Sequence, residues 1–282
     1  MCLSDNCDDG RRKFVVGAAG AIVSVAVARA LGQANYPHNY PPVTRVLDSP
    51  TITHGSVIFK HGGQDSIDGF LARPKADGRY PGVVVIPGNV ITEEYIPNTC
   101  AALAVAGFVG LAPNIFHTLP ANARTPEERR LATAAHVNSD CLLDIMSGMD
   151  YLRTQPFIKP DGFGVVGFCF GGHLAMMLGS RSRELDAVVA YHPGPTIAAE
   201  INRLTAPVLI HQGTADRNVP VAQIKQLEKT LRAQKTPVEV NWYEGADHGF
   251  LAYTRPYYRP DHGKLSWERT VAFLNKHLKR KA

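Results

Sequence analysis

Residues 167–172 read Gly167-Phe168-Cys169-Phe170-Gly171-Gly172. An apolar run at 163–166 precedes them, and a run with helical character at 173–178 follows them. This order predicts a strand, a sharp turn and a helix, with small residues two positions before and two positions after Cys169. A G-x-S-x-G nucleophile elbow has the same layout, and here a thiol stands in place of its hydroxyl. We therefore expect Cys169 to be a nucleophile at a helix N-terminus, where the helix dipole stabilises negative charge.

The flanking glycines have a steric explanation. The turn is strained, and side chains at positions 167 and 171 would collide with the neighbouring strand and helix. The elbow motif therefore predicts close backbone packing around Cys169.

The rest of the chain alternates strand patterns with helix patterns. Strands are predicted at 56–60, 67–72, 83–86, 108–112, 163–166, 185–191, 207–211 and 238–243, and helices at 95–106, 136–153, 173–178, 221–233 and 265–278. The segment 113–135 between them is irregular and polar. The alternation predicts an α/β fold with a mainly parallel central sheet and helices on both faces.

Composition limits the class of protein. The chain has 282 residues, of which 45% are hydrophobic and 20% charged, which suits one large α/β domain with a sizeable core. The net charge of +5 is spread along the chain without a basic stripe, so nucleic-acid binding is not expected. We take a monomer as the default oligomeric state.

The N-terminus has the pattern of an export signal. Gly10-Arg11-Arg12-Lys13-Phe14 precedes an apolar run at 15–28, and small residues continue to Ala34. The paired arginines predict a twin-arginine-type signal over residues 1–34, followed by an extended lead-in at 35–51 and a catalytic domain at 52–282. The apolar run is too short to span a bilayer, so no stable membrane span is expected in the mature chain. We expect a periplasmic or secreted protein. The alternatives are a membrane anchor or a disordered leader at the N-terminus, and a cytoplasmic location.

Cleavage after residue 34 leaves three of the five cysteines, namely Cys100, Cys141 and Cys169. An odd number of cysteines in an oxidising compartment leaves at least one thiol without a disulfide. Cys100 and Cys141 lie in predicted helices. If those helices pack on opposite faces of the sheet, the two cysteines cannot pair, and Cys169 is the thiol whose role needs an explanation.

A weak nucleophile needs a base, and the base needs an orienting group. Asp216 follows the predicted strand 207–211, and His248 follows the last predicted strand, 238–243. Loops at the C-terminal ends of parallel strands share one edge of a sheet, so both residues can meet Cys169. An aspartate after a strand is often only a turn or N-cap residue, and this is the alternative for Asp216. Asp247 is expected to be a turn residue.

From about residue 52 to 280, the chain resembles the dienelactone hydrolase (carboxymethylenebutenolidase) family. The resemblance rests on the elbow at 167–172, on the G-x-x-D that ends at Asp216, on the A-D-H-G-F at 246–250 and on Arg255-Pro256. It implies an α/β-hydrolase fold and a triad of Cys169, Asp216 and His248. In this triad Cys169 attacks an ester or lactone carbonyl, His248 moves the proton and Asp216 fixes the imidazole.

The tetrahedral oxyanion of such a reaction needs two N–H donors. The backbone N–H of Phe170 is expected to be one, and Asn89, in the loop after the strand 83–86, is the second by position. Phe116, Tyr253 and Arg255 are candidates for binding a small ester or lactone substrate. This substrate class includes molecules that carry a carboxylate.

The chain departs from the family pattern at two positions. The family usually has a glutamate, which contacts the nucleophile, where this chain has Gly88. Glu93 or Glu94 could fold back to replace it; otherwise His248 alone activates Cys169. Some members also carry an arginine four residues after the histidine, where this chain has Ala252, and Arg255, Arg129 or Arg130 could substitute for it.

Three other histidines are not expected to bind a metal, and two further functions remain as alternatives. His173, His192 and His211 lack the close spacing of a metal site and are expected to be structural or rim residues, so we predict no metal and no cofactor. One alternative function is a redox-active or binding protein on the same fold. The other is a broad-specificity acyl esterase.

Overall fold

The computed structural model describes residues 45–61, 65–88, 94–117, 138–194, 196 and 198–279. The predicted export signal at 1–34 lies outside the described residues, as does most of the lead-in at 35–51. Asn89, Glu93, Arg129 and Arg130 also lie outside them.

The described residues form an eight-stranded sheet and five α-helices. The strands are β1 (Ile52–His61), β2 (Asp65–Pro74), β3 (Tyr80–Ile86), β4 (Val109–Pro113), β5 (Ile158–Phe168), β6 (Leu185–Tyr191), β7 (Val208–Gly213) and β8 (Val238–Tyr243). The helices are α1 (Tyr95–Val105), α2 (Asn138–Arg153), α3 (Phe170–Arg181), α4 (Val221–Ala233) and α5 (Pro260–Leu278), with a short 3₁₀ helix at Ala198–Glu200.

The sheet is mainly parallel, as predicted. Its strand order is β1-β2-β4-β3-β5-β6-β7-β8. The pairs β1–β2 and β2–β4 are antiparallel, and every pair from β4–β3 to β7–β8 is parallel. The C-terminal ends of the parallel strands therefore share one edge, and the loops that follow β5, β6, β7 and β8 meet there.

Helices cover both faces of the sheet. In β3 the side chains alternate, so that Val84 and Ile86 face the layer that contains α2, α3 and α4, whereas Val83 and Val85 face the layer that contains α1 and α5. Cys141 lies in the first layer and Cys100 in the second. The two cysteines are buried on opposite faces and cannot form a disulfide with each other, which confirms that expectation.

Several boundaries differ from the sequence prediction, and β5 (Ile158–Phe168) and α3 (Phe170–Arg181) are longer than the predicted ranges 163–166 and 173–178. Helix α5 begins at Pro260 rather than at 265, because proline is compatible with the first turn of a helix, where its missing N–H has no intrahelical partner. Strands β1 and β2 are longer than predicted because they pair with each other over their full ten residues. Within the described ranges, no helix combines the length and the apolar character that a membrane crossing requires.

Candidate active site

Cys169 lies in a sharp turn between β5 and α3, with φ 54° and ψ −114°. A Cβ at Gly167 would lie 2.1 Å from the carbonyl oxygen of Gly171, and a Cβ at Gly171 would lie 2.3 Å from that of Ile86. Both distances are far shorter than any real Cβ contact, so the turn requires glycine at both positions. The N–H of Cys169 donates to the Tyr191 carbonyl at 3.0 Å, which ties the turn to β6.

His248 and Asp216 are joined by a hydrogen bond at the same edge of the sheet. His248 follows β8, and its Nδ1 lies 3.0 Å from Oδ2 of Asp216, which follows β7. The backbone N–H groups of Asn218 and Val219 donate to the other oxygen of Asp216 at 2.8 Å each. Nε2 of Gln212 donates to Oδ2 at 3.2 Å. These bonds fix the carboxylate, so Asp216 is both a turn residue and the partner of the imidazole.

His248 also reaches the thiol. A ring nitrogen of His248 and Sγ of Cys169 lie within 4.8 Å of each other, and since Nδ1 faces Asp216, Nε2 is the nitrogen available to the thiol. Burial alone would lower the pKa of His248. The hydrogen bonds to Asp216 and Cys169, together with their negative charges, outweigh burial and raise this pKa to about 10. The site therefore stabilises the protonated imidazole that forms when His248 takes a proton from the thiol.

The pKa of the Asp216 carboxyl group shifts in the opposite direction to that of His248. Burial would raise its pKa, but the hydrogen bond and charge of His248 and the two backbone donors lower it below its usual value. Asp247, the neighbouring acid, instead accepts hydrogen bonds from the backbone N–H of His248 and from the guanidinium of Arg217. Asp216, and not Asp247, is thus the acid that contacts the imidazole.

His192, which the sequence predicted to be a structural or rim residue, lies beside Cys169 and His248. Its ring centroid lies 4.1 Å from that of His248, and one of its ring nitrogens lies within 4.8 Å of the Cys169 sulfur. The residue has φ 37°, and its N–H donates to the carbonyl of His211 at 2.8 Å. Burial, and then the charge of His248, lower its pKa well below the ordinary value, so this imidazole is neutral. The only signal in the sequence was its position directly after β6.

Gly88, where the family resemblance implies a glutamate, lies beside the elbow. A Cβ at this position would lie 3.4 Å from Cβ of Cys169, so a side chain there would adjoin the nucleophile. Glu94 does not take that place, because its carboxylate accepts hydrogen bonds from Arg45 at 2.7 Å and from the Tyr253 hydroxyl at 2.9 Å. The Tyr95 hydroxyl does lie near the thiol. It accepts the N–H of Gly88, and its pKa is raised by burial first and then by the charge of Cys169.

The remaining predicted residues differ in their surroundings. Phe170 is the first residue of α3, so its N–H has no carbonyl partner within that helix. The ring of Phe116 lies 6.5 Å from that of Phe170, and Tyr253 is held by Glu94. Arg255 is partly exposed in the segment after His248. The second predicted oxyanion donor, Asn89, lies outside the described residues.

Comparison with known proteins places the chain in a family. The model of the "Dienelactone hydrolase family" matches residues 67–278. A Bradyrhizobium protein assigned as a 2-oxo-3-(5-oxofuran-2-ylidene)propanoate lactonase is 28% identical, over 74% of this chain and 89% of its own length. A Synechocystis protein assigned as a carboxymethylenebutenolidase is also 28% identical, over 76% of this chain and 93% of its own length.

Solved structures show the same fold. The crystal structure of a Klebsiella pneumoniae protein assigned as a dienelactone hydrolase covers 80% of this chain and 99% of its own, with a TM-score of 0.74 and 24% identity. The acylaminoacyl peptidase of Pyrococcus horikoshii covers 83% of this chain and 43% of its own, with a TM-score of 0.68 and 16% identity. The chain belongs to the dienelactone hydrolase family, has the α/β-hydrolase fold, and is a hydrolase of esters or lactones.

Proposed function

We propose that this protein hydrolyses small carboxylic esters or lactones by a cysteine mechanism, with Cys169 as nucleophile, His248 as base and Asp216 as orienting group. The observation that carries the proposal is the continuous series of contacts from the thiol through the imidazole to the buried carboxylate. The names of the relatives, a lactonase and a carboxymethylenebutenolidase, support a lactone as the substrate class.

In the acylation step, Nε2 of His248 takes the thiol proton and Sγ of Cys169 attacks the carbonyl carbon. The carbonyl oxygen becomes an oxyanion, and the N–H of Phe170 is positioned to donate to it. The tetrahedral intermediate then collapses to a thioester, and His248 returns the proton to the departing oxygen. In a lactone that oxygen remains attached to the acyl group.

In the deacylation step, His248 takes a proton from water, and the resulting hydroxide attacks the thioester carbonyl. The carbon–sulfur bond breaks, the carboxylic acid leaves and the thiol is restored. A thioester hydrolyses readily, whereas a thiol expels an amide leaving group with difficulty, so esters and lactones suit this nucleophile better than peptides do.

Activation of the thiol in this chain falls to His248. The glycine at position 88 supplies no carboxylate, and Arg45 and Tyr253 hold Glu94. We therefore propose that the Asp216–His248 pair generates the thiolate without a carboxylate from position 88 or from Glu94, with the Tyr95 hydroxyl nearby as a polar neighbour.

The proposal is tested with a short-chain nitrophenyl ester and an enol lactone as substrates. Cys169→Ala is expected to lower kcat/KM for both by roughly a thousandfold or more, and Asp216→Asn by about a hundredfold or more. Cys100→Ala is the matched control, because it removes a thiol that is buried on α1, and it is expected to retain near wild-type rates. Wild-type rates in Cys169→Ala would overturn the assignment.

The same preparation separates the alternatives that the sequence left open. Hydrolysis retained by Cys169→Ser would favour a broad acyl esterase that tolerates either nucleophile. If the wild-type protein hydrolyses neither substrate, while Cys169 still forms mixed disulfides with a small thiol reagent, the redox-active protein is favoured instead.

A further inference from the structure

A second imidazole beside the thiol has no role in the proposed hydrolysis. Sγ of Cys169 and one ring nitrogen each from His192 and His248 all lie within 4.8 Å of one another. The three residues come from different places in the fold, namely the turn after β5 and the loops after β6 and β8. Among the described residues, these three side chains form a group whose ligand atoms lie close enough to share one metal ion. A thiolate and two imidazoles are the ligand types that Zn²⁺ prefers.

His192 gives an independent indication of a ligand. Its side chain is only 4% exposed, yet its Nδ1 makes no hydrogen bond to any described residue. Buried polar side-chain atoms are nearly always hydrogen-bonded, so an unpartnered imidazole nitrogen in this position needs an explanation. A neutral imidazole carries a lone pair that can bind a cation.

His248 is oriented as metal-binding histidines are. Its Nδ1 faces Asp216, which leaves Nε2 for the thiol or for a cation in the same place. A carboxylate that fixes the far nitrogen of a histidine ligand is a common arrangement at zinc sites. Asp216 is itself fixed by Asn218, Val219 and Gln212, so the support behind this ligand is rigid.

The dimensions of the cluster suit one ion. Zinc–sulfur bonds of about 2.3 Å and zinc–nitrogen bonds of about 2.0 Å place tetrahedral ligands roughly 3.3–3.5 Å apart. The observed upper limit of 4.8 Å means that side-chain movements of about 1 Å suffice to close the cluster around an ion.

We propose that Cys169, His192 and His248 bind a soft divalent cation of the Zn²⁺ class, with a fourth position left open, and that the bound ion blocks hydrolysis reversibly. On binding, the sulfur–cation bond forms and the thiol proton is released to solvent, with no change of oxidation state. Metal binding follows from the geometry alone, whereas the inhibition rests on the proposed function.

The test uses Co²⁺ as a spectroscopic probe of the Zn²⁺ site in the full chain. Addition of Co²⁺ is expected to give a sulfur-to-cobalt charge-transfer band together with the intense visible bands of tetrahedral cobalt, and Zn²⁺ should displace both. Cys169→Ser is expected to abolish the charge-transfer band. His192→Phe, which keeps a ring against His248, is expected to weaken binding at least tenfold, and His192→Gln is a second variant in case the first does not fold.

A matched control removes another histidine that packs on an aromatic ring. His54 lies in the edge strand β1, with its ring centroid 5.3 Å from that of Phe70, and His54→Phe is expected to bind Co²⁺ as the wild type does. In the hydrolysis assay, Zn²⁺ is expected to inhibit the wild type and His54→Phe alike, and EDTA should restore both. For His192→Phe, the Zn²⁺ concentration for half inhibition of its own rate should rise at least tenfold.

A charge-transfer band that persists in Cys169→Ser, or equal affinity in both His192 variants and the wild type, would overturn the site. The two proposals fail separately. Cobalt bands in a protein that hydrolyses neither substrate would leave the metal site standing without the hydrolase. Hydrolysis by a protein that gives no cobalt bands would support the hydrolase and overturn the metal site.

Discussion

The backbone of Cys169 is strained, and its neighbours hold the strain in place. A non-glycine residue at φ 54° and ψ −114° is costly, and such strain persists only where the surrounding structure over-determines it. Here the carbonyl of Cys169 accepts the N–H groups of Gly172, His173 and Gly194, at 2.9, 3.2 and 3.0 Å. Because of these hydrogen bonds and the close contact of Gly171 with β3, the turn adopts a single conformation.

Gly171→Ala is therefore expected to disrupt the elbow. The new methyl group would lie 2.3 Å from the Ile86 carbonyl oxygen and 2.5 Å from that of Pro87, both backbone atoms that cannot rotate away. We expect the free energy of unfolding to fall by about 2–4 kcal/mol and ester hydrolysis to be lost in the folded fraction. Urea unfolding and the nitrophenyl ester assay measure the two effects.

The control is Gly55→Ala in β1, where an added Cβ meets no atom within 4 Å. Its stability should stay within about 0.5 kcal/mol of the wild type. Equal losses in the two variants would mean that the close approach at Gly171 is not what fixes the turn.

Strand β7 and helix α5 are joined by a buried hydrogen-bond network. His211 lies between the hydroxyl of Tyr243, at 2.8 Å from Nδ1, and Oγ1 of Thr270, at 3.0 Å from Nε2. The Tyr191 hydroxyl, from β6, also contacts Thr270, at 2.8 Å. Because β6 and β7 lead into the loops of His192 and Asp216, the network supports the floor of the site.

Thr270→Val is expected to destabilise the protein by about 1–3 kcal/mol, because it keeps the shape of the side chain but removes the hydroxyl that serves His211 and Tyr191. Thermal or urea unfolding measures the loss. Thr230→Val is the matched control, since that threonine of α4 is partly exposed and its hydroxyl donates to the carbonyl of Gln226 in the preceding turn. A loss in Thr270→Val no larger than in the control would show that the network adds little stability.

Much of this arrangement was predictable from sequence. The continuous apolar runs marked β3 to β7, and the elbow at 167–172 predicted the strain at Cys169 and its glycines. The positions of Asp216 and His248 after strands predicted that they would meet, and a hydrogen bond joins them. These features depend on local pattern and on the rule that parallel strands end at one edge.

The parts that sequence did not predict depend on packing between distant segments. His192 shares neither spacing nor motif with Cys169 and His248, so its contact with them follows only from the adjacency of β5, β6, β7 and β8. The pairing of Glu94 with Arg45 and Tyr253 joins residues far apart in the chain. No local pattern distinguishes such a partner from the other charged residues.

At the scale of the whole molecule, the stability of the fold depends on pH through His211. Burial, and then the charge of Arg269, lower the pKa of His211 from 6.5 to about 3. The folded protein keeps this ring neutral, whereas the unfolded chain binds a proton below its ordinary pKa. The unfolded state therefore binds more protons between about pH 3 and 6.5, and stability falls as the pH is lowered through that window.

The expected contribution is up to about 1.4 kcal/mol per pH unit, measured as the free energy of unfolding in urea at a series of pH values. His211→Gln removes this proton uptake, so its stability should depend on pH less steeply than that of the wild type over the same window. Parallel curves for the two proteins would show that His211 is not a buried neutral group.

Export is the remaining property of the whole molecule, and we propose that residues 1–34 direct it. Cys100 and Cys141 are separated by the sheet, so the fold requires no disulfide between them, and Cys169 can keep its thiol in an oxidising compartment. In a bacterial host with twin-arginine export, replacing Arg11 and Arg12 with lysine is expected to leave the protein in the cytoplasm, whereas the wild type reaches the periplasm with a new N-terminus near residue 35. Lys13→Arg is the control, because it keeps the charge and leaves the arginine pair intact. Cell fractionation and N-terminal mass analysis give the result, and a wild-type protein found uncleaved in the cytoplasm would contradict the proposal.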